Sequence, residues 1–426
     1  MNRHTMITAI VGLAGAALAA PTFNAPTTLS SPQRPAGVAA ADFDGDGDMD
    51  LAVATDNLDK ISIFTNSGAG AFSGPVNILT GAGTGPDDMV ASDIDGDGDS
   101  DLLVVLKNIN QVRVYLNNAG TFTAGASTAT GAEPVDIAAG DINNDGQPDY
   151  VVTNRSGNTV TVLMNSGGTL SASSVAVGAE PRTTAIADFD GDGDGDLAVT
   201  NHDSRTISIL RNNGGAFAAV QTLIPPFNNR PDGIVAGDFD GDGDMDLAAP
   251  AGDDTLAQSV IAVWLNNAGT FSGPTNSPAN ASDPSTIDAA DFDLDGDLDL
   301  IVINNDDASM STLEGFGNGT FAAAVLRPVG AAPDRIAIAD LDGNNSPDVA
   351  ITNRDSNTTS LFMNAMAGSD PCAPDLNNDG TLDFFDVQAF LALFAAQDPA
   401  ADWASDGAFD FFDVQAFLAS FAAGCP

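Results

Sequence analysis

The stretch Asp42-Phe43-Asp44-Gly45-Asp46-Gly47-Asp48-Met49-Asp50 decides the architecture, because the chain returns to it six more times. The later copies begin at Asp93, Asp141, Asp188, Asp238, Asp291 and Asp340, at intervals of 47 to 53 residues. Seven residues ahead of each copy stands a proline: Pro35, Pro86, Pro134, Pro181, Pro231, Pro284 and Pro333. A repeat of this length means a ring or solenoid, in which no unit buries its apolar faces alone. Around the loop each unit keeps one order. A short segment of small apolar residues comes first, such as Val235-Ala236-Gly237, and the acidic loop follows. Next come an apolar run such as Leu197-Ala198-Val199, a polar turn, and an alternating segment such as Ile207-Ser208-Ile209-Leu210. An Asn/Gly turn then leads to a last strand opened by Phe72, Phe122, Leu170, Phe217, Phe271 or Phe321. That is four short strands with turn punctuation, seven times over. The expectation is an all-β fold, a seven-bladed β-propeller of four-stranded blades, over residues 20–366. The seventh unit stops near Met363-Asn364 without a fourth strand. Phe23 precedes Pro35 by the spacing that separates Phe122 from Pro134, so the segment around Phe23 is expected to pair near Leu361 and close the ring.

The loop chemistry points to calcium, which takes six to eight oxygen ligands. Positions 1, 3, 5 and 9 supply side-chain oxygens, and position 7 offers its backbone carbonyl. In the first unit these are Asp42, Asp44, Asp46 and Asp50, with Asp48. In the second they are Asp93, Asp95, Asp97 and Asp101, with Asp99, and in the third Asp141, Asn143, Asp145 and Asp149, with Gln147. The fourth unit offers Asp188, Asp190, Asp192 and Asp196, with Asp194. The fifth offers Asp238, Asp240, Asp242 and Asp246, with Asp244, and the sixth Asp291, Asp293, Asp295 and Asp299, with Asp297. The seventh is weaker, with Asp340, Asp342, Asn344 and Asp348 beside Ser346, and Asn345 where the others have glycine. Glycine at position 6 permits the sharp turn, and asparagine tolerates the same left-handed geometry.

The chain carries 59 Asp and Glu against 13 Lys and Arg, for a net charge of −46. Such a surface repels nucleic acid and anionic membranes. Residues 1–19 read as a secretion signal: Arg3 and His4, then the apolar run Met6 to Leu18, with Ala17-Leu18-Ala19 fitting the cleavage rule. No transmembrane segment is expected, and the mature protein is read as exported, to the extracellular space or the cell surface. The two cysteines, Cys372 and Cys425, flank the last segment, and in an oxidising compartment they form one disulfide.

Within residues 367–426, Asp375-Leu-Asn-Asn-Asp-Gly-Thr-Leu-Asp-Phe-Phe-Asp386 fits a twelve-residue EF-hand-type loop. Asp375, Asn377, Asp379, Thr381 (backbone), Asp383 and Asp386 take ligand positions, and an apolar helical pattern follows. The pattern returns with Asp402, Asp406, Ala408 (backbone), Asp410 and Asp413, but Ala404 stands where a polar third ligand is expected.

The units resemble the FG-GAP/VCBS repeats of integrin α-subunit propellers and of many secreted bacterial proteins, over residues 21–366. That resemblance implies a Ca²⁺-stabilised propeller used for adhesion or ligand display, although the same fold carries some polysaccharide lyases and lectins. The last segment, a tandem loop–helix ending in Gly424-Cys425-Pro426, resembles a GC-type dockerin. This implies a small α-helical calcium-binding module that attaches to a cohesin-like or other cell-surface receptor.

Acid–base candidates are sparse: His202 beyond the signal, Tyr115, Tyr150, Lys60 and Lys107. No catalytic residue is assigned, and a binding protein is expected rather than an enzyme. A lyase-like carbohydrate-active enzyme is the alternative. Strand order puts the acidic loops and the Asn/Gly turns on one face. Most cations fall on the other, with Arg211 an exception. Arg155, Arg205 and Arg354 are therefore expected to bind an acidic polysaccharide or an acidic protein there.

Overall fold

Each proline-led segment forms the innermost strand of a blade, and the acidic loop turns the chain into the second strand. The computed structural model describes residues 21–31, 33–252, 259–366 and eight positions between 387 and 417. The chain divides into two units, Met1–Met366 and Ala367–Pro426. In the first unit, blade one runs Pro35–Ala41, Asp50–Thr55, Lys60–Asn66 and Phe72–Leu79, all antiparallel and in that spatial order. Six further sheets repeat this plan. In blade five the inner strand is broken into Arg230–Pro231 and Val235–Gly237, both paired with Asp246–Gly252. Inner strands of successive blades touch in cyclic order, and Pro333–Ala339 of blade seven lies against Pro35–Ala41 of blade one.

Closure follows the sequence expectation. Thr27–Ser30 supplies the fourth strand of blade seven, with Thr27 opposite Leu361 and Ser30 opposite Thr358. Phe23 forms a bridge to Asn364. The edge that blade seven would leave open is thereby paired.

Burial follows from strand position. All residues of Asp50–Thr55, Asp101–Leu106, Asp149–Asn154 and their counterparts are buried, since second strands are covered on both faces by neighbouring blades. This is why they read as continuous apolar runs rather than alternating ones. Each fully buried Leu or Val there contributes about 1.5–3 kcal/mol. Fourth strands such as Thr123–Ala129 are largely exposed.

The second residue of every acidic loop is a core residue: Phe43, Ile94, Ile142, Phe189, Phe239, Phe292 and Leu341 are each at most 2% exposed. Each packs on the residue that opens the fourth strand of the next blade. Phe43 meets Phe122 edge-on at 5.5 Å, Phe189 meets Phe271 at 5.3 Å and Phe239 meets Phe321 at 5.7 Å. Phe292 meets Phe23 at 5.6 Å, so Phe23 fills the place its spacing assigned to it.

In the second unit, Val387, Phe390, Leu391, Leu393 and Phe394 are helical, as are Val414 and Phe417. Phe390 and Phe417, equivalent in the internal repeat, stack at 4.1 Å with an interplanar angle of 3°. The signal expected at 1–19 and the Cys372–Cys425 disulfide lie outside the described residues. So do the ligands expected at Asp375, Asn377, Asp379, Thr381, Asp383, Asp386, Asp402, Asp406, Ala408, Asp410 and Asp413.

Candidate functional site: the acidic loops and the channel mouth

Backbone donors organise each loop around its first carboxylate. In loop one, Asp42 Oδ1 accepts from the N–H groups of Gly45 (2.8 Å) and Asp46 (3.2 Å), and Oδ2 accepts from Gly47 (2.9 Å). The fifth residue accepts from the seventh, as Asp46 does from the Asp48 N–H at 3.0 Å. Positions 4 and 6 are left-handed, with φ of 80° at Gly45 and 95° at Gly47. Asn345 holds the sixth position of loop seven at φ 61°, as expected of asparagine. Leu294, at the fourth position of loop six, has φ 64°, a strained choice that the sequence pattern did not flag.

First, third and ninth carboxylates converge. In the sets Asp42/Asp44/Asp50, Asp93/Asp95/Asp101, Asp188/Asp190/Asp196 and Asp238/Asp240/Asp246, one oxygen from each residue lies within 4.8 Å of the others. Third-position oxygens Asp44 Oδ1, Asp293 Oδ1 and Oδ2, and Asp342 Oδ1 are buried without a hydrogen-bond partner. Such atoms are costly unless a donor, a water or a cation satisfies them. Burial raises Asp50, Asp196, Asp246 and Asp348 from 3.8 to about 6, and Asp299 to about 7, with the loop neighbours adding repulsion and backbone N–H donors opposing. An all-oxygen set of clustered carboxylates fits a hard divalent ion such as Ca²⁺.

The structure adds roles that the sequence reading missed. The ninth aspartate also joins the loop to the Asn/Gly turn. Asp101 Oδ2 accepts from the Ile94 N–H (3.1 Å), and Oδ1 accepts from the Asn117 N–H (2.7 Å). The asparagine reached in this way clasps the preceding blade. Asn117 Nδ2 donates to the Phe43 carbonyl at 2.8 Å, and Asn66, Asn165, Asn212, Asn266 and Asn364 make the same bond to their own preceding blade. Blade six has Gly315 at this place, and there the Phe239 carbonyl accepts from the Gly319 N–H instead (2.7 Å). The recurring register of that asparagine, sixteen residues after the ninth aspartate in five of the seven units, was the available signal. Seventh-position side chains face the same turn: Asp99 Oδ2 accepts from the Ala119 N–H and Asp244 Oδ2 from the Ala268 N–H. In loop four, Arg211 Nε sits 2.6 Å from Asp190 Oδ2, placing a guanidinium on a third-position carboxylate.

On the opposite face, the residues just after the prolines and just after the second strands form the mouth of the central channel. This cavity, about 180 Å³, is lined by Lys107, Arg155, Arg182, Arg335 and Arg354 among Asp87, Asp232, Asp283 and Asp334. Below it the channel, about 550 Å³, is walled by the small and apolar inner-strand residues. Each mouth cation is paired: Lys107 with Asp87 (3.0 Å), Arg354 with Asp334 (2.7 Å) and Asp87 (3.4 Å), Arg182 with Glu180 (2.8 Å), and Arg155 with Glu133. Arg335 reaches across the axis to Asp88 (3.5 Å) and Asp136 (3.9 Å) and donates to the Val135 carbonyl (2.8 Å). Burial pushes both aspartates upward, against the pull of Arg335.

Of the three arginines expected to act together, Arg155 and Arg354 line this mouth, and Arg205 does not. Arg205 stands three residues beyond the register of the other two. Arg155 and Arg354 directly follow their second strands, and in blade four that place belongs to His202. Arg205 instead holds the left-handed end of the turn, at φ 55°, where blades three and seven carry Asn158 and Asn357. Arg335 was overlooked. It stands two residues after its proline, in a register where the other units carry Gly37, Asp88, Asp136, Thr183, Gly233 and Thr286. Tyr115 and Tyr150 are buried within the blades, and burial raises both hydroxyls, Tyr150 to about 12.

A ring of seven four-stranded blades with an acidic loop between the first two strands of each defines a loop-bearing β-propeller. The chain belongs to the FG-GAP-like repeat family, which matches residues 42–104, 93–152, 141–199, 188–249, 252–302 and 291–351. No curated protein matches the chain. Among solved structures, BBS1N, crystallised in complex with ARL6DN and soaked with lead, is similar at 13% identity and a TM-score of 0.58. The match covers 80% of this chain and 96% of that one. A protein from Lactobacillus plantarum is similar at 15% identity and a TM-score of 0.53, over 70% of this chain and 86% of that one. Likeness at these identities concerns the fold alone. Among the described residues, no helix is long and apolar enough to cross a membrane.

Proposed function

We propose that this protein is an exported, calcium-loaded propeller that binds an acidic ligand at the mouth of its central channel. An acidic polysaccharide or an acidic protein segment fits that chemistry. The supporting observation is the gathering of Lys107, Arg155, Arg182, Arg335 and Arg354 around one cavity in a chain of net charge −46. The mouth interleaves these five cations with carboxylates, and the loops hold their own negative charge on the other face. Because the cations are already paired, a ligand carboxylate or sulfate must compete with Asp87 and Asp334. Binding should therefore be selective and salt-sensitive rather than a general attraction. Calcium in the seven loops would fix the Asn/Gly turns and rigidify the ring that carries the mouth. The C-terminal segment, read as dockerin-like, would attach the propeller to a cohesin-like or other surface receptor.

The test is retention on immobilised polyuronate, sulfated glycan and surface-protein extract, at two salt concentrations. The double variant Arg155→Ala/Arg354→Ala should lose retention, and Lys60→Ala, at the start of a third strand and outside the mouth lining, should keep it. Equal retention by all three proteins overturns the reading. The lyase-like alternative needs a base beside these arginines; both tyrosines are held inside the blades, which leaves Lys107 and His202 as its candidates.

A further inference from the structure

His202 departs from its repeat equivalents in a way that the proposed function does not use. In blade three the residue following the second strand is Arg155, which pairs directly with Glu133. In blade four the corresponding residues are His202 and Glu180, but here an imidazole stands among three carboxylates. His202 Nδ1 lies 3.5 Å from Glu180 Oε2 and 3.4 Å from Asp203 Oδ1, and Nε2 lies 3.7 Å from Asp232 Oδ1. A charge-assisted hydrogen bond would close such a gap to about 2.7–2.9 Å. Instead Nδ1 is buried and makes no hydrogen bond, and Asp232 Oδ1 is in the same condition. The second oxygen of Glu180, Oε1, is held by Arg182 at 2.8 Å, which fixes Oε2 toward the histidine.

The two separations from Nδ1 match the edges of a coordination shell. Donors at about 2.0–2.2 Å from a tetrahedral ion lie about 3.4 Å from one another. One ligand atom from each of Glu180, His202 and Asp203 lies within 4.8 Å of the other two. We infer that Glu180, His202 and Asp203 bind a divalent transition-metal ion of the zinc class through Oε2, Nδ1 and Oδ1. Asp232 faces the other ring nitrogen, the usual place of the carboxylate that orients a metal-bound histidine. One imidazole with two carboxylates suits Zn²⁺, whereas Ca²⁺ prefers an all-oxygen shell and is met by the loops. Asp203 is 55% exposed, so the fourth position opens to solvent. The site stands at the rim of the mouth, because Arg182 and Asp232 also line that cavity. A bound ion would add positive charge there, yet the site stands or falls independently of the ligand proposed above.

The test uses the full chain without a polyhistidine tag, in excess Ca²⁺, titrated with Zn²⁺ against a chromophoric chelator. The expected result is one Zn²⁺ retained per chain that the excess Ca²⁺ does not displace. His202→Asn should weaken that ion by more than roughly 100-fold, beyond the 10–100-fold that loss of an outer partner costs, and Asp232→Asn should weaken it by about 10-fold. His202→Asn installs the residue type that blade six carries at this place, where the Asn305 N–H bonds Asp283 as the His202 N–H bonds Glu180. Its zinc-free melting temperature should therefore match the wild type. If that variant is nonetheless unstable, Asp203→Asn, at an exposed position, must show the same loss. No zinc retained by the wild type would mean an ordinary histidine ion pair. Equal retention by His202→Asn and Asp203→Asn would place the ion elsewhere. Either outcome overturns the inference.

Discussion

Replacing Asn117 by alanine tests the clasp that joins consecutive blades. The side chain is 3% exposed and makes three bonds. Nδ2 donates to the Phe43 carbonyl of the preceding blade (2.8 Å) and to the Ser100 carbonyl (3.1 Å), while Oδ1 accepts from the Gly120 N–H (3.0 Å). The Phe43 carbonyl is buried and would be left without a donor, at a cost of about 1–3 kcal/mol, and the other two bonds contribute about 1 kcal/mol each. The expected loss is about 3–5 kcal/mol. With an unfolding entropy of about 2.1 cal/mol/K per residue over a ring of about 345 residues, that lowers the melting temperature by about 4–7 °C. The assay is thermal unfolding in saturating Ca²⁺, with calcium content measured alongside. The control is Asn118→Ala, whose side chain is exposed. Calcium content should not change, because Asn117 is not a loop ligand. A fall below about 1 °C, or one equal to that of the control, would refute the view that this asparagine holds the blades together.

Three further outcomes follow from the same geometry. Without metal, Asp50, Asp196, Asp246, Asp299 and Asp348 titrate near 6–7 in the fold against 3.8 unfolded, so the folded chain holds more protons between these values. Stability in EDTA should therefore fall as pH rises from about 4 to 7; with Ca²⁺ bound the slope should reverse, since protons compete with the ion. Parallel melting curves in the two conditions would count against calcium in the loops. Arg211→Leu, which gives blade four the residue type of Leu116 and Leu265, frees Asp190 and should raise calcium bound at limiting concentration by about one ion per chain. An unchanged count would show that the guanidinium does not compete. Deleting residues 1–31 removes the strand that pairs with Thr358–Phe362 and the Phe23 contacts with Phe292 and Phe362. The shortened chain should melt earlier and self-associate through the open edge on size-exclusion chromatography, and a monomer of unchanged melting temperature would contradict this.

The sequence by itself determined the ring. Closely similar loops at near-constant spacing fix blade number, strand order and the face on which the loops lie, because every unit must repeat the same local structure. The spacing of Phe23 also determined closure, since the missing aromatic had one place to go. Glycine or asparagine at the sixth loop position was legible for the same local reason. Contacts between blades were not. Asn117 reads as a turn residue until its partner, the Phe43 carbonyl, is brought against it from 74 positions away. Arg335 is one residue of its strand until the ring sets it opposite Asp88 and Asp136, more than 190 positions earlier. Arg205 aligns by eye with Arg155 and Arg354, yet the turn places His202 in their register. Local repetition is written in the sequence; which side chains face one another across the axis depends on ring curvature, which only the tertiary structure decides.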